Sequence, residues 1–493
     1  MNWLKAKSQN IKVDWVMIGE IVSICIILIP IFVLSFYAIP GGDDFANSNK
    51  IKTSMAEGYS YTGAALHMSV HYYKNVSGYF FGVFLNFLIS PLLRGGISAL
   101  RITVFAANLF FYLSLYVFVA NLLKILFEVD KIKIKLLSYF LVLFAVTNNY
   151  NNSETWTWYC VLISYVLLTG CMFWGIIFFL KAIKSGKKSY TIGAAVIGFL
   201  VSGDSLCLTA MNCGIYLLIG FWAIYVYKKK GVAIICFCSA LLSGVINLIS
   251  PGNFIRHDSV TSEYPIGGAL KSAAYLTWSR LQYLFFYTPF IILLIVFFII
   301  AFKYFSYRYD LKGYQLIIAL GIIFLGVTII NFPVCLGYST GTLPDRCIWL
   351  EDCAIYIGIF GWVACFAGWL KKKSGNIEMR KETLICIAVS CMLFLCSLGS
   401  VCALDNYPTV KMVKQLTNGE IAECVTFWSD VFDEIETSPD KGTAILREEI
   451  PENEFVFPPH LRDDKTWWVN KAVALYYDKD WVYISTEGEI VTN

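Results

Sequence analysis

The sequence predicts an all-α polytopic membrane protein with about eleven transmembrane helices, closed by a small extracytoplasmic α/β C-terminal domain. Three observations carry this. The 493 residues are 57% hydrophobic and only 15% charged, with a mean hydropathy of +0.62, whereas soluble chains carry about 25% charged residues. Several charge-free apolar runs are long enough to cross a hydrocarbon core of roughly 30 Å as helix. Basic clusters recur between those runs, as they do in cytoplasmic loops. The net charge of +4 says little as a total, because its distribution matters more, and nothing in it calls for nucleic acid.

Apolar runs lie near 15–37, 79–93, 102–123, 136–147, 153–180, 190–203, 206–227, 231–250, 283–305, 315–335, 346–370 and 383–403. The first resembles a signal peptide in position, but it is too long for an h-region and lacks a small-residue cleavage site before "GGDD". It is therefore expected to stay as the first helix. Basic residues follow or precede the spans at Lys5, Lys7 and Lys12, "KIKIK" 131–135, "KAIKSGKK" 181–188, "KKKG" 228–231, "KYFSYRYDLK" 303–312 and "KKKSGNIEMRK" 371–381. The positive-inside rule puts these segments and the N-terminus in the cytoplasm. The connections 38–78, 148–154, 202–206, 250–282, 336–345 and the tail then face outward. Such a parity needs an odd number of crossings, so only one of 79–93 and 136–147 crosses fully. The basic "KIKIK" favours 136–147 as the span and 79–93 as an interfacial segment.

Two domains follow: a membrane domain over 1–404, whose first outer loop is 38–78, and an extracytoplasmic domain over 405–493. The tail carries acidic clusters, then "TWWVNKAVALYYDKDWVYIST", which reads as a short helix followed by a strand because Trp, Val, Tyr and Ile gather at its end. Of the 16 cysteines, nearly all lie inside apolar runs. That is neither a disulfide framework nor a zinc site, and small lipid-compatible hydrophobes are the simplest reading.

The cytoplasmic connections are short and almost purely basic, but the outer ones mix acids, bases and three of the four histidines among aromatic residues. An interfacial aromatic belt accounts for part of this. The density of carboxylates and guanidiniums points further, to a cavity opening at the outer surface. In "GGDDF", Gly41 and Gly42 free the backbone to turn and present Asp43 and Asp44. Local chemistry leaves two readings open: solvated acids at a helix end, or a general base or metal ligand. Adjacent residues of an extended loop point to opposite sides, which suits one catalytic and one supporting carboxylate. "SPGNFIRHDS" offers Arg256 and His257, and "LPDRCIW" offers Arg346. Each arginine either snorkels to head groups or holds a phosphate at the membrane surface, which a guanidinium does bidentately. Glu154 in "NNSETWTWY" is a helix cap or a site residue, and Asp204 in "VSGDSLC" is a turn residue or a site residue. There is no Walker loop, GxGxxG, HExxH or GxSxG.

Taken in order, "GGDDF", "YYKNVSGYFFGVFLNFL", "SETWTWY", "SPGNFIR", "LPDRCIWLEDCAIYI" and "WVNKAVALYY" make a pattern that resembles the GT-C class of polytopic glycosyltransferases, and within it the bacterial GtrII-type glucosyltransferases. The chain departs from the pattern twice. Tyr79 and Phe80 follow Ser77-Gly78 where a basic residue is expected, with Lys74 as the substitute. Gly203-Asp204 stands where an Asn-Glu type pair is expected. The resemblance implies a multi-pass enzyme of the cell membrane that moves a sugar from a polyprenyl-phosphate donor to a cell-envelope glycan or lipid acceptor on the outer face, with inversion. It implies Asp43 as base and Asp44 as its support. Arg256 and Arg346 then neutralise the phosphate, with Lys74, His71 or His257 assisting and Glu154 and Asp204 in substrate-binding positions. Some members of the class use a divalent cation, for which Asp43 or Asp44 is the ligand here, though no ligand cluster demands one. The alternative is a lipid-linked saccharide transporter or flippase. Transporters carry ionisable groups or broken helices near the midplane; here polar groups gather at one surface instead, which favours the enzyme. A third reading is a binding or assembly protein with the tail as receptor, Trp467 and Trp468 stacking on a sugar.

Overall fold

The computed structural model describes residues 14–148, 153–259, 265–307, 310–338, 342–374 and 404–486. The architecture is mostly helical, with a two-stranded sheet near the C-terminus. Helix α1 (Trp15–Leu34) starts at Asp14, whose carboxylate caps Met17 N–H at 3.3 Å and pairs with Lys133 at 2.5 Å. Its outer face, including Ile26 and Ile29, is exposed, as a lipid-facing surface requires. The chain then leaves through Pro40, Gly41 and Gly42 into α2 (Gly42–Ala56) and α3 (Tyr61–Asn75). The first outer connection, expected as a loop, is thus a helical hairpin. Its small core of Ile51, Ala64, Ala65 and Phe87 is closed by α4 (Phe80–Ile89).

Next come α5 (Pro91–Phe127), kinked at Gly95–Gly96, α6 (Ile132–Asn148), the single turn α7 (Ser153–Trp156) and α8 (Tyr159–Ser185), which holds a π-helical stretch at Leu162–Leu167. Helices α9 (Lys188–Val201), α10 (Leu206–Tyr225) and α11 (Lys230–Leu248) pack on one another, and α12 (Pro251–Ser259) follows directly. Helices α13 (Ile266–Tyr287) and α14 (Phe290–Tyr304) are bent by 77° at Thr288–Pro289. The last membrane helices described are α15 (Gly313–Tyr338) and α16 (Asp345–Lys373). Helix α16 ends on Lys371–Lys373, cations that suit a helix C-terminus.

Among the described residues seven helices are long and apolar enough to cross a membrane, or eight if the bent pair is one span; eleven were expected. The difference has a physical source. At about 1.5 Å per residue, α9 with 14 residues is too short for the hydrocarbon core; α4, with 10, is shorter still, as expected of an interfacial segment. Helix α6, the span favoured over 79–93, has 17 residues, about 25 Å, and falls just below the usual length. The run 283–305 is split by the 77° bend, and the expected span at 383–403 lies outside the described residues.

The C-terminal part comprises α17 (Pro408–Asn418), α18 (Glu420–Thr437), β1 (Gly442–Arg447), α19 (Trp468–Tyr476) and β2 (Trp481–Thr486). The helix and strand expected for the last segment are both present. Strands β1 and β2 are parallel, with Gly442 opposite Trp481 and Arg447 opposite Thr486. This part is bound to the membrane helices through α2. Asn49 donates to Ala472 O at 2.7 Å, and fully buried Phe45 meets Tyr476 and Phe432 at ring distances of 5.1 and 5.5 Å. Burying one phenylalanine this way contributes about 1.5–3 kcal/mol.

Candidate functional site

The two aspartates stand in the first turn of α2, not in an extended loop. The expectation of opposite-facing neighbours is corrected accordingly: successive helical residues are about 100° apart. Their roles divide. Asp44 is buried, and its Oδ2 accepts Gly41 N–H at 2.8 Å, closing the helix N-terminus. Its Oδ1 accepts the Cys160 thiol at 2.9 Å. Burial pushes its carboxyl up to about 7 against those hydrogen bonds. Asp43 is half-buried, and among the described residues its carboxylate makes no hydrogen bond or ion pair. Burial raises it above the ordinary aspartate range, opposed by the nearby charges of Lys50, Arg346 and Arg256.

Each cation is delivered by a different element. Lys50 lies two turns along α2 from Asp43, on the same face. Its Nζ donates to Tyr72 Oη at 2.6 Å and lies 4.5 Å from a tyrosine ring centre, that of Tyr72 itself. Burial lowers the Lys50 ammonium, against the attraction of Asp43. Arg346 opens α16 immediately after Pro344 and Asp345. Its Nη1 donates to both Glu154 oxygens at 3.1 Å, its backbone N–H to Glu154 Oε2 at 3.0 Å. The guanidinium also faces the Trp158 ring at 5.7 Å, and Trp158 stacks on Phe457 at 4.0 Å, with 4° between planes. "SETWTW" therefore links the arginine to the C-terminal part. Thr157 adds to that link, donating to Phe455 O at 3.3 Å and accepting Phe457 N–H at 3.2 Å.

Arg256 rides on α12, which is pressed against the α3–α4 turn. Asn253 Oδ1 accepts Gly78 N–H at 2.9 Å, and Ser250 Oγ donates to Tyr73 O at 2.5 Å. Gly252 is required there. A Cβ on it would lie 2.5 Å from Ser77 N, a backbone atom that cannot give way. "YYKNVSG" and "SPGN" thus form one contact, which sets where Arg256 stands.

Lys74 is exposed in the last turn of α3, and His257 is exposed on α12. His71 is exposed on α3, and its Nδ1 accepts Asn75 Nδ2–H at 3.3 Å. Asp204 is fully buried at the α9–α10 junction, no hydrogen bond of ordinary geometry reaches its carboxylate oxygens among the described residues, and a Cβ on Gly82 would sit 1.7 Å from its Oδ1. Burial pushes that carboxyl well above its ordinary range, which suits a neutral acid packed against α4. Asn86 on α4 donates to Ser164 Oγ at 3.0 Å and to Cys160 O at 3.3 Å, so buried polar groups continue from Asp44 toward that region through the π-helical stretch.

Lys50, Tyr72, Cys160 and Trp158 were not singled out from sequence. For Lys50 the signal existed: it is seven residues from Asp43, two helical turns, once 42–56 is recognised as helix. A divalent ion does not fit the donor set. Both Asp44 oxygens already accept hydrogen bonds, Asp43 faces cations, and among the described residues no group of three or more His, Cys, Asp or Glu side chains is placed to hold a metal. In comparisons with known proteins, no family model matches the chain and no curated protein matches it.

Proposed function

We propose that the protein is a membrane glycosyltransferase that moves a sugar from a polyprenyl-phosphate donor to a cell-envelope glycan or lipid acceptor on the outer face of the cell membrane. The observation that carries this reading is Asp43: a half-buried carboxylate without a hydrogen-bond partner among the described residues, set in the field of Lys50, Arg346 and Arg256. A carboxylate free to accept a proton beside fixed cations is what attack on a sugar phosphate needs. Asp43 takes the proton of the acceptor hydroxyl as its oxygen bonds to the anomeric carbon. The bond from that carbon to the phosphate oxygen breaks, and the lipid phosphate leaves with the electron pair. Arg346, held by Glu154, and Arg256 stabilise the charge that develops on it. The phosphate is a good leaving group, so no general acid is required, and in-line displacement inverts the anomeric centre. Asp44 holds the first turn of α2 in place and does not react.

A transporter reading draws on one specific observation. Arg280 pairs with Asp352 through two short hydrogen bonds, at 2.7 and 2.5 Å, with side chains only 10% and 6% accessible between α13 and α16. One experiment separates the two. Proteoliposomes are given polyprenyl-phosphate sugar labelled in the sugar. An enzyme yields label covalently attached to acceptor, while a transporter yields label moved across the bilayer with the phosphodiester intact.

A further inference from the structure

A groove of about 500 Å³ runs along α2 between α3 and α19. It begins beside the first turn of α2: the tip of the Trp468 indole lies 3.1 Å from where a Cβ on Gly42 would be, one residue from Asp43. It continues past Lys50, the cation facing Asp43, toward Glu57. Asp43, Ala46, Lys50, Thr53 and Glu57 recur at intervals of three and four, so one face of α2 carries the aspartate and lines the groove.

The lining suggests its occupant. Trp468 is 47% exposed, whereas its neighbour Trp467 is engaged by Arg462 at 3.9 Å. An indole left open at a groove wall is a stacking platform for an apolar sugar face. Lys471, one turn further along α19, is exposed toward the same space, and His67 and His71 reach it from α3. Within the groove lining Glu57 is the acid set against Lys50, Lys471 and the two histidines, with Asp43 at its head facing Lys50. Asn49 is 5% exposed, and among the described residues its Oδ1 lacks a hydrogen-bond partner although its amide nitrogen is used on Ala472. A buried acceptor in the groove wall fits a ligand hydroxyl.

We propose that this groove is the acceptor subsite and that it takes an anionic saccharide chain, one ring stacked on Trp468 and its acidic groups drawn to Lys471, His71 and Lys50. The proposal rests on the glycosyl-transfer reading for the word acceptor, but binding can be measured without turnover. Full-length protein in lipid nanodiscs is titrated with three short oligomers of equal length: an oligogalacturonate, a phosphorylated maltooligosaccharide and neutral maltooligosaccharide. At least one anionic oligomer is expected to bind about tenfold or more tighter than the neutral one; which of the two does so tells whether carboxylate or phosphate is recognised. Trp468→Ala is expected to weaken that binding about fivefold or more, and Lys471→Glu, at an exposed position that folding tolerates, by a similar factor. Equal affinity for neutral and anionic oligomers, binding of none, or unchanged affinity in Lys471→Glu overturns the proposal. Asp43→Asn removes a negative charge facing Lys50 and is expected to bind the anionic oligomers at least as tightly as the wild type. If Asp43→Asn still transfers sugar while anionic oligomers bind, the catalytic reading fails and the groove stands; if it is inactive and no anionic oligomer binds, the reverse holds.

Discussion

Glu154 holds Arg346 at three points: the guanidinium Nη1 reaches both carboxylate oxygens at 3.1 Å, and the Arg346 backbone N–H reaches Oε2 at 3.0 Å. The two residues are 192 positions apart, on α7 and at the start of α16. The pair is only partly exposed, with side chains 21% and 17% accessible, so solvent screening is limited.

Removing the carboxylate's charge weakens the hold that orients the guanidinium toward the phosphate. Glu154→Gln is expected to lower transfer about 10- to 100-fold, the scale of losing charge-assisted hydrogen bonds, with normal membrane expression. Arg346→Lys is expected to be no better, since an ammonium does not keep a guanidinium's planar geometry. Rates on lipid-linked sugar, normalised to protein level, measure both. Wild-type rates in Glu154→Gln would show that the orientation of Arg346 is irrelevant.

The pH dependence of transfer reports on Asp43. Burial raises its carboxyl above the ordinary range of about 3.9, and the base works only when ionised. Activity is therefore expected to rise with pH along an acid limb displaced upward from free aspartate. Lys50 opposes the shift. Lys50→Met is expected to move the limb to still higher pH in a profile of kcat/KM. A shift to lower pH in this variant would contradict the placement of Lys50 beside the base.

Stability has its own pH signature through Asp44. Its folded carboxyl titrates at about 7, above the unfolded value of about 3.9. Between those values the folded chain keeps a proton that the unfolded chain releases. This contribution to stability is fully present below about pH 4 and declines as pH rises through about 7. Thermal unfolding in detergent is expected to show the decline. Asp44→Asn, whose amide oxygen still accepts Gly41 N–H, is expected to flatten it; an unchanged slope would place the titrating group elsewhere.

Much of this organisation was legible in the sequence, for identifiable reasons. Charge-poor runs such as 206–227 and 231–250 gave α10 and α11 directly, because a membrane helix is written in length and hydropathy. The aromatic and β-branched end of the chain gave β2. What escaped was set by tertiary contact. Residues 42–75 are too polar to read as buried helix, yet α2 is stabilised by Phe45 against Tyr476 and Asn49 against Ala472, more than four hundred residues away for the hydrogen bond. The short apolar helices α4 and α9 carry the composition of spans without the length. At the site, Asp43, Arg256 and Arg346 were chosen by residue type, and the fold brings their charges together. Lys50 was not singled out, because its seven-residue spacing from Asp43 places it on the same face only once α2 is known to be helical. Asp204 read from sequence as either a turn residue or a substrate-binding residue in an outer connection, and the fold buries it completely.

Gly252 tests whether motif spacing serves Arg256. A Cβ there would meet the Ser77 backbone at 2.5 Å. Gly252→Ala is expected to cost about 1–3 kcal/mol by overpacking, to displace α12 from the α3–α4 turn, and to cut transfer although Arg256 is intact. Gly267, where an added Cβ meets nothing within 4 Å, is the control, and Gly267→Ala is expected to be neutral. Equal activity of both variants would mean that the α12 contact does not position the arginine.

The most direct measurement of the central claim is sugar transfer by Asp43→Asn, in membranes supplied with polyprenyl-phosphate sugar and acceptor. The amide preserves the size of the side chain and the helix start, since Asp44 provides the hydrogen bond to Gly41. Transfer is expected to fall about 100-fold or more, with expression and unfolding temperature unchanged. Full transfer by this variant would contradict the assignment of Asp43 as the base.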